Sequence, residues 1–344
     1  MYCQFNESCN LLQTRDEDWI KCAGLVTCVL SILGSLCIIS THLLIREMKT
    51  TIRSILAHVS VMNLTSNTAN MIGLVIYYGS TSSVQEPSSG VCKLQAFFTL
   101  YGTIGSVLWT LGLAVYLYYR IVSCDANVTK WVVRVLYVVC YTLPLYVSLW
   151  LLLDKWLGYS PRSPTHKGWC TIIEEADTLF VLLGDDLWIM LSIVLVNVIS
   201  MTTHVNITSQ LQHTHDHNRT IQQITRSLVN TDRKMLLLPV TFTLMWVWHL
   251  LGNILYVYIG LPSHNTLRDV IIFLSVIGDN AQGCVNFVLF CVLQDKLRRI
   301  LIGWLRGCAE RQQHRNQREL STSLMISSYS SGELYIHSSH NSPL

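Results

Sequence analysis

The feature that most limits this chain is a series of long stretches without Asp, Glu, Lys or Arg. Windows 22–45, 54–85, 94–119 and 135–153 have none, 187–216 and 235–267 hold a fifth and a sixth, and 270–294 is interrupted once, by Asp279. A spanning helix needs about 20 mostly apolar residues, because each adds about 1.5 Å toward a hydrocarbon core of about 30 Å. The pattern predicts an all-α integral membrane protein, a seven-transmembrane helix bundle. Soluble domains carry roughly 25% charged residues. This chain has 13%, against 51% apolar, too few charges either to cover a soluble surface or to keep a chain disordered. A formal charge of +3 with no basic stripe interleaved with aromatics gives nucleic-acid binding no support.

Orientation follows from the basic residues. With the amino terminus outside, segments 46–53, 120–134, 206–234 and 294–344 face inward and hold 17 Lys and Arg, whereas 1–21, 79–93, 154–186 and 260–269 hold 7. The positive-inside rule therefore places the carboxy terminus in the cytoplasm. The expected organisation is a short extracellular amino terminus (1–21) and a seven-span domain (22–293), followed by a juxtamembrane helix (294–307) and a disordered Ser/Thr-rich tail (308–344). No cleavable signal is expected in the polar, acidic stretch 1–21. In the juxtamembrane helix Leu297, Ile300, Leu301, Trp304 and Leu305 share a face opposite Lys296, Arg298, Arg299 and Arg306, the pattern of a helix lying on an anionic leaflet. Cys308 follows as a palmitoylation candidate. Of five Asn-x-Ser/Thr sequons only Asn6 falls on the outer side, which makes it the expected glycosylation site. Most of the 12 cysteines lie in apolar runs and act as small hydrophobes. Cys92 and Cys170 both face an oxidising compartment, and a bridge between them would tie the loop before span five to span three.

Several chemistries share seven spans. A retinal protein needs an intramembrane lysine, and none stands between Lys234 and Lys296. His42 and His58 sit near the inner ends of spans one and two, and His249 about 22 Å higher, so the three imidazoles do not share an ion. With no nucleophile elbow or P-loop, no enzyme, metal or cofactor is expected. A transporter or channel is the alternative, weakened by the lack of an internal repeat and by the scarcity of intramembrane charge. A seven-span bundle with a pinned loop, a basic inner face and a Ser/Thr tail suits a receptor. Rhodopsin-like signatures are missing: span three ends Tyr118-Tyr119-Arg120, and span two has Asn63 where an aspartate is usual.

The chain resembles the cyclic-AMP-receptor-like G-protein-coupled receptors. The resemblance lies in Leu33-Gly34-Ser35 with Thr41-His42, Leu108-Trp109-Thr110 with Tyr116-Leu117-Tyr118, Gly158-Tyr159, Gly168-Trp169-Cys170 and Leu187-Trp188. It continues through Asp232, Lys234, Pro239, Val247-Trp248, Ile277-Gly278, Gln282-Gly283 and Asn286. It implies a multipass plasma-membrane receptor that transmits an extracellular ligand's signal to a heterotrimeric G protein. It also implies a lysine just before the span-five Leu-Trp, arginines in span six and an asparagine in span seven. This chain has Asp185 and Asp186, Trp246 and Gly252, and Asp279 at those places, a shift from basic toward acidic that argues against an anionic ligand.

The candidate ligand-binding residues are Asp185, Asp186, Trp188, Trp246, His249 and Asp279, with Asp279 expected to hydrogen-bond His249 or Asn253. Arg120, Arg233 and Lys234 are the candidate G-protein contacts, and Pro239 a flexible point in span six.

Overall fold

The computed structural model describes residues 4–45, 49–79, 89–122, 126–158, 169–173, 178–214, 237–259 and 266–292, with side chains over somewhat narrower stretches. By its contacts the chain divides into Met1–Leu289, which holds the bundle, and Phe290–Leu344, of which 290–292 are described. Arg233, Lys234, Cys308, the juxtamembrane helix and the tail lie outside the described residues.

Seven helical rods account for the bundle among the described residues. They are α1 (Gln4–Leu44), α2 (Thr51–Gly79), α3 (Ser89–Val122), α4 (Ala126–Leu153), α5, α6 and α7 (Thr266–Phe287). α5 runs through Thr178–Val181, a π turn at Leu182–Asp186 and Leu187–Thr214. α6 comprises residues 237–253 and a π turn at Ile254–Tyr258. Two differences from expectation matter. α1 begins at Gln4, so the polar stretch 1–21 largely extends the first helix, and Asn6 lies in it, though its side chain is outside the described set. α5 begins nine residues before Leu187, so Asp185 and Asp186 lie within the rod rather than ahead of it.

Five rods are long and apolar enough to cross a membrane by hydropathy, over Trp19–Leu44, Gly90–Arg120, Lys130–Leu153, Thr178–Asn206 and Thr266–Val292. α2 and α6 are not among them; α6 is described only from residue 237, and α2 is absent for a physical reason. Its Ser60, Asn63, Asn67 and Asn70 recur at three- and four-residue spacing, share one face and are buried. That face looks into the bundle, where hydrophobic composition is not required. α1 packs against α2 and α7, α2 against α3, and α3 against α4 and α5. One apolar cluster joins Cys28, Leu74, Trp169 and Val276, and a second joins Val107, Ile189, Val196, Phe242 and Trp246.

Without a hydrophobic drive between helices in lipid, small residues bring backbones together. At Gly278 of α7 an added Cβ would overlap the Met245 carbonyl oxygen of α6, and at Gly283 it would overlap Ser31 and Ser35 of α1. The Gly283 amide donates to Ser31 Oγ at 2.9 Å across that contact.

α4 ends in a Schellman turn: Lys155 takes φ 64°, the Lys155 amide donates to Leu152 O and the Trp156 amide to Leu151 O. The reversal leads into a short antiparallel ribbon, β1 (Leu157–Gly158) against β2 (Thr171–Ile172). Cys170, just before β2, is disulfide-bonded to Cys92 in α3 as expected, with Cα atoms 5.6 Å apart.

Candidate functional site

Two polar interiors cross the bundle. The first is uncharged. Asn280 Oδ1 of α7 accepts from Asn70 Nδ2 of α2 at 2.9 Å and from Cys28 Sγ of α1 at 3.2 Å. Thr99 Oγ1 of α3 donates to Asn70 Oδ1, and Gln95 Nε2 donates to Thr99 Oγ1. Gln95 Oε1 then accepts from the Cys170 amide at 2.8 Å. The chain of bonds thus runs from α1 through α7, α2 and α3 to the disulfide-pinned ribbon. Trp169, beside that cysteine, is buried against α1, α2 and α7. Lower down, Gln282 of α7 accepts from Ser106 Oγ and donates to Thr110 Oγ1, both on α3.

The second interior is charged and lies between α5, α6 and α7. His249 is at its centre. Its Nδ1 lies 3.1 Å from Asp279 Oδ1, and its Nε2 lies 3.2 Å from Asp185 Oδ2 and 3.4 Å from Asp186 Oδ1. These four side chains are 4–13% exposed. Asn253 Nδ2 donates to Asp186 Oδ1 at 2.8 Å, and Tyr258 OH donates to Asp186 Oδ2 at 2.6 Å. The Trp246 indole meets the imidazole edge-on at 5.9 Å.

Local backbone makes this possible. Adjacent residues of a regular helix diverge by about 100°. The π turn over Leu182–Asp186 widens α5 at that point, and both neighbouring carboxylates reach one imidazole. A second π turn, at Ile254–Tyr258, carries the Tyr258 hydroxyl back to Asp186.

The expected Asp279–His249 bond is therefore present, and Asp185, Asp186, His249, Asp279 and Trp246 come together. Asp185 and Asp186, counted above within the outer segment 154–186, instead lie inside a rod that begins at Thr178, and Asp186 is buried within the bundle. Trp188 stands apart from the others, its indole Nε1 donating to Leu183 O of the π turn at 2.8 Å. Arg120 is exposed near the end of α3. Tyr258 was not anticipated, because nothing in a Tyr-Val-Tyr run marks which phenol turns inward.

Charge arithmetic distinguishes this interior. Three carboxylates face one imidazole, so even a doubly protonated ring leaves two negative charges among these four side chains if all ionise. Asp185 Oδ1 is buried and accepts no hydrogen bond. Buried acceptors left so are costly, and a group bringing positive charge or N–H donors would satisfy them.

A third cluster lies between α2, α3 and α4. His58 Nδ1 and Nε2 contact the Tyr141 and Tyr137 hydroxyls at 2.6 and 2.7 Å, and its ring stacks on Trp109 at 4.9 Å. Among the described residues no group of His, Cys, Asp or Glu side chains is arranged to hold a metal ion.

These observations define a polytopic bundle with a loop tied to its third helix and a buried charged junction, the anatomy of a membrane receptor. A family model described as seven-transmembrane receptor (Secretin family) matches residues 19–285, and the chain belongs to that family. It is a G-protein-coupled receptor outside the rhodopsin-like class, and the match carries no support for a transporter or channel. Its relatives include G-protein coupled receptor 157 of Mus musculus, 27% identical over 297 residues, covering 84% of this chain and 87% of the relative. The Homo sapiens protein of the same name is 28% identical over 280 residues, 80% of either chain. The Rattus norvegicus one is 27% identical over 287 residues, 81% of this chain and 84% of that one.

Proposed function

We propose that this receptor sits in the plasma membrane with its amino terminus outside, and that the His249 junction receives a ligand bearing a cationic group. The carrying observation is the surplus of carboxylate around His249, with Asp185 Oδ1 unpaired. A cationic group pairing with Asp185 and Asp186 competes with the imidazole for the same oxygens. His249 joins α6 to both α5 and α7 there, and Asn253 and Tyr258 of α6 bond Asp186 as well, so drawing Asp185 and Asp186 onto a cation weakens all three contacts and loosens α6. A ligand that binds the loosened state better shifts the population toward it. At the opposite end, movement of α6 opens a cytoplasmic cleft for a heterotrimeric G protein, with Arg120, Arg233 and Lys234 at its border. Pro239, buried in α6 and without an amide hydrogen, supplies a compliant point between the two ends. Cys308 as a palmitoylated anchor and Asn6 as the glycan site complete the reading.

A panel of G-protein activation sensors in cells, run first without ligand and then with amine-bearing candidates, tests it. Dissociation of at least one G-protein class is the expected result. Silence across the panel from a receptor verified at the surface would overturn it. Epitope tags on both ends, stained without permeabilisation, test the orientation: the Met1 tag is expected to stain and the Leu344 tag to stay dark.

A further inference from the structure

A cavity of about 270 Å³ opens where the starts of α2 and α4 meet the last turns of α3. Thr51, Tyr116, Lys130, Val133 and Arg134 line it. Lys130 and Arg134 are four residues apart on α4, hence neighbours on one face, and like charges so placed repel. Neither makes an ion pair or hydrogen bond with another described residue, and no carboxylate stands among the described residues of the lining. Thr51 and Tyr116, both hydroxyl-bearing, stand in the same lining. A pair of cations without an acidic partner among the described residues, beside two hydroxyl-bearing side chains, suits a multiply charged phosphate group.

What surrounds the cavity says where that phosphate comes from. Trp131, between the two cations, is 64% exposed, and Val135 and Val138 on the following turns are exposed as well. Tryptophan with its apolar body outward suits the membrane interface, and the valines continue as a surface for acyl chains. Among the described residues the walls come from α2, α3 and α4 and none from α6, the helix proposed above to move for a G protein. In the orientation proposed above this end faces the inner leaflet, which is anionic.

We propose that this cavity binds the phosphorylated headgroup of an inner-leaflet phosphoinositide, with its acyl chains along the outer face of α4. Lys130 and Arg134 grip the headgroup phosphates, and Thr51 and Tyr116 offer hydroxyls to the same oxygens. The lipid bridges the start of α2 to α4 and neutralises the repulsion between the two cations. The placement on the inner leaflet rests on the orientation proposed above, whereas the cavity and its chemistry do not.

Native mass spectrometry of the purified full-length receptor tests this, with dioctanoyl phosphatidylinositol bisphosphate as probe, dioctanoyl phosphatidylserine for comparison and soluble inositol trisphosphate as the lipid-free headgroup. The wild type is expected to retain the phosphoinositide over the other two. The Lys130→Ala/Arg134→Ala pair is expected to bind it about thirtyfold more weakly, from the worth of two basic residues at an anionic surface. Lys130→Arg and Arg120→Ala are expected to bind as the wild type does. Equal retention of inositol trisphosphate would make the ligand a soluble phosphate and overturn the lipid assignment. An equal loss in Arg120→Ala would reduce the effect to unspecific basic charge and overturn it too. Loss of G-protein activation in the double variant, with phosphoinositide binding intact, would assign the cations to the G protein instead. Because binding is read on purified protein, its absence sinks the site alone, whereas a misplaced epitope tag sinks the orientation alone.

Discussion

The neutral interior around Asn280 and the charged one around His249 stand on opposite flanks of the same helix. Asn280 and Asp279 are neighbours on α7, yet one faces α1 and α2 and the other faces α6. On the neutral side amides, hydroxyls and a thiol pair donor to acceptor across four helices, and Gly283 brings α1 against α7. Such a network makes one arrangement much better than its neighbours, which suits a scaffold. On the charged side three carboxylates share one imidazole and an acceptor goes unused. That junction is open to improvement by an incoming group, which suits a switch. Within one bundle, then, charge separates the part that holds from the part that responds.

The contrast can be broken by substitutions on either side. The largest expected effect is on the scaffold's covalent tie. Cys92→Ser frees the ribbon that Gln95 also holds, at a cost of roughly 2–4 kcal/mol, read as lower surface expression and a lower unfolding temperature in detergent. Asn280→Leu comes next. It strands the Asn70 amide and the Cys28 thiol, costs roughly 1–3 kcal/mol and lowers surface abundance several-fold. Neither is expected to alter G-protein activation per receptor at the surface. Trp188→Phe sharpens the boundary of the charged side. Losing the bond to Leu183 O costs roughly 0.5–1.5 kcal/mol of stability, and ligand potency is expected to stay unchanged because the indole N–H is engaged by that carbonyl rather than by the His249 group.

The two interiors were unequally legible in the sequence. Charge-free windows expose spanning helices because lipid forbids unpaired charge, and the same scarcity made Asp279 and its pairing with His249 visible. Cys92 and Cys170 stood out as lumenal among cysteines mostly in apolar runs. The neutral network was hidden, since an asparagine or threonine in an apolar window carries no mark of its partner. A signal did exist in α2, where Ser60, Asn63, Asn67 and Asn70 trace one helical face. The inward turn of Asp185 and Asp186 was not legible, because a π turn inserts its extra residue for tertiary reasons that the local composition Leu-Leu-Gly-Asp-Asp does not reveal. Tyr258 depends on a second such turn. Arg120 could be placed, exposed at its helix end, while Arg233 and Lys234 lie outside the described residues.

The most direct measurement is basal G-protein activation by His249→Ala, normalised to receptor at the surface and compared with Asn280→Leu. Removing the imidazole cuts the described α6 contact to Asp279 of α7 and the imidazole's contacts to Asp185 and Asp186 of α5, leaving Asp186 held by Asn253 and Tyr258 alone. Basal activation is expected to rise several-fold in His249→Ala and to match the wild type in Asn280→Leu. Unchanged basal activation in His249→Ala at normal surface abundance would contradict the assignment of the charged junction as the switch.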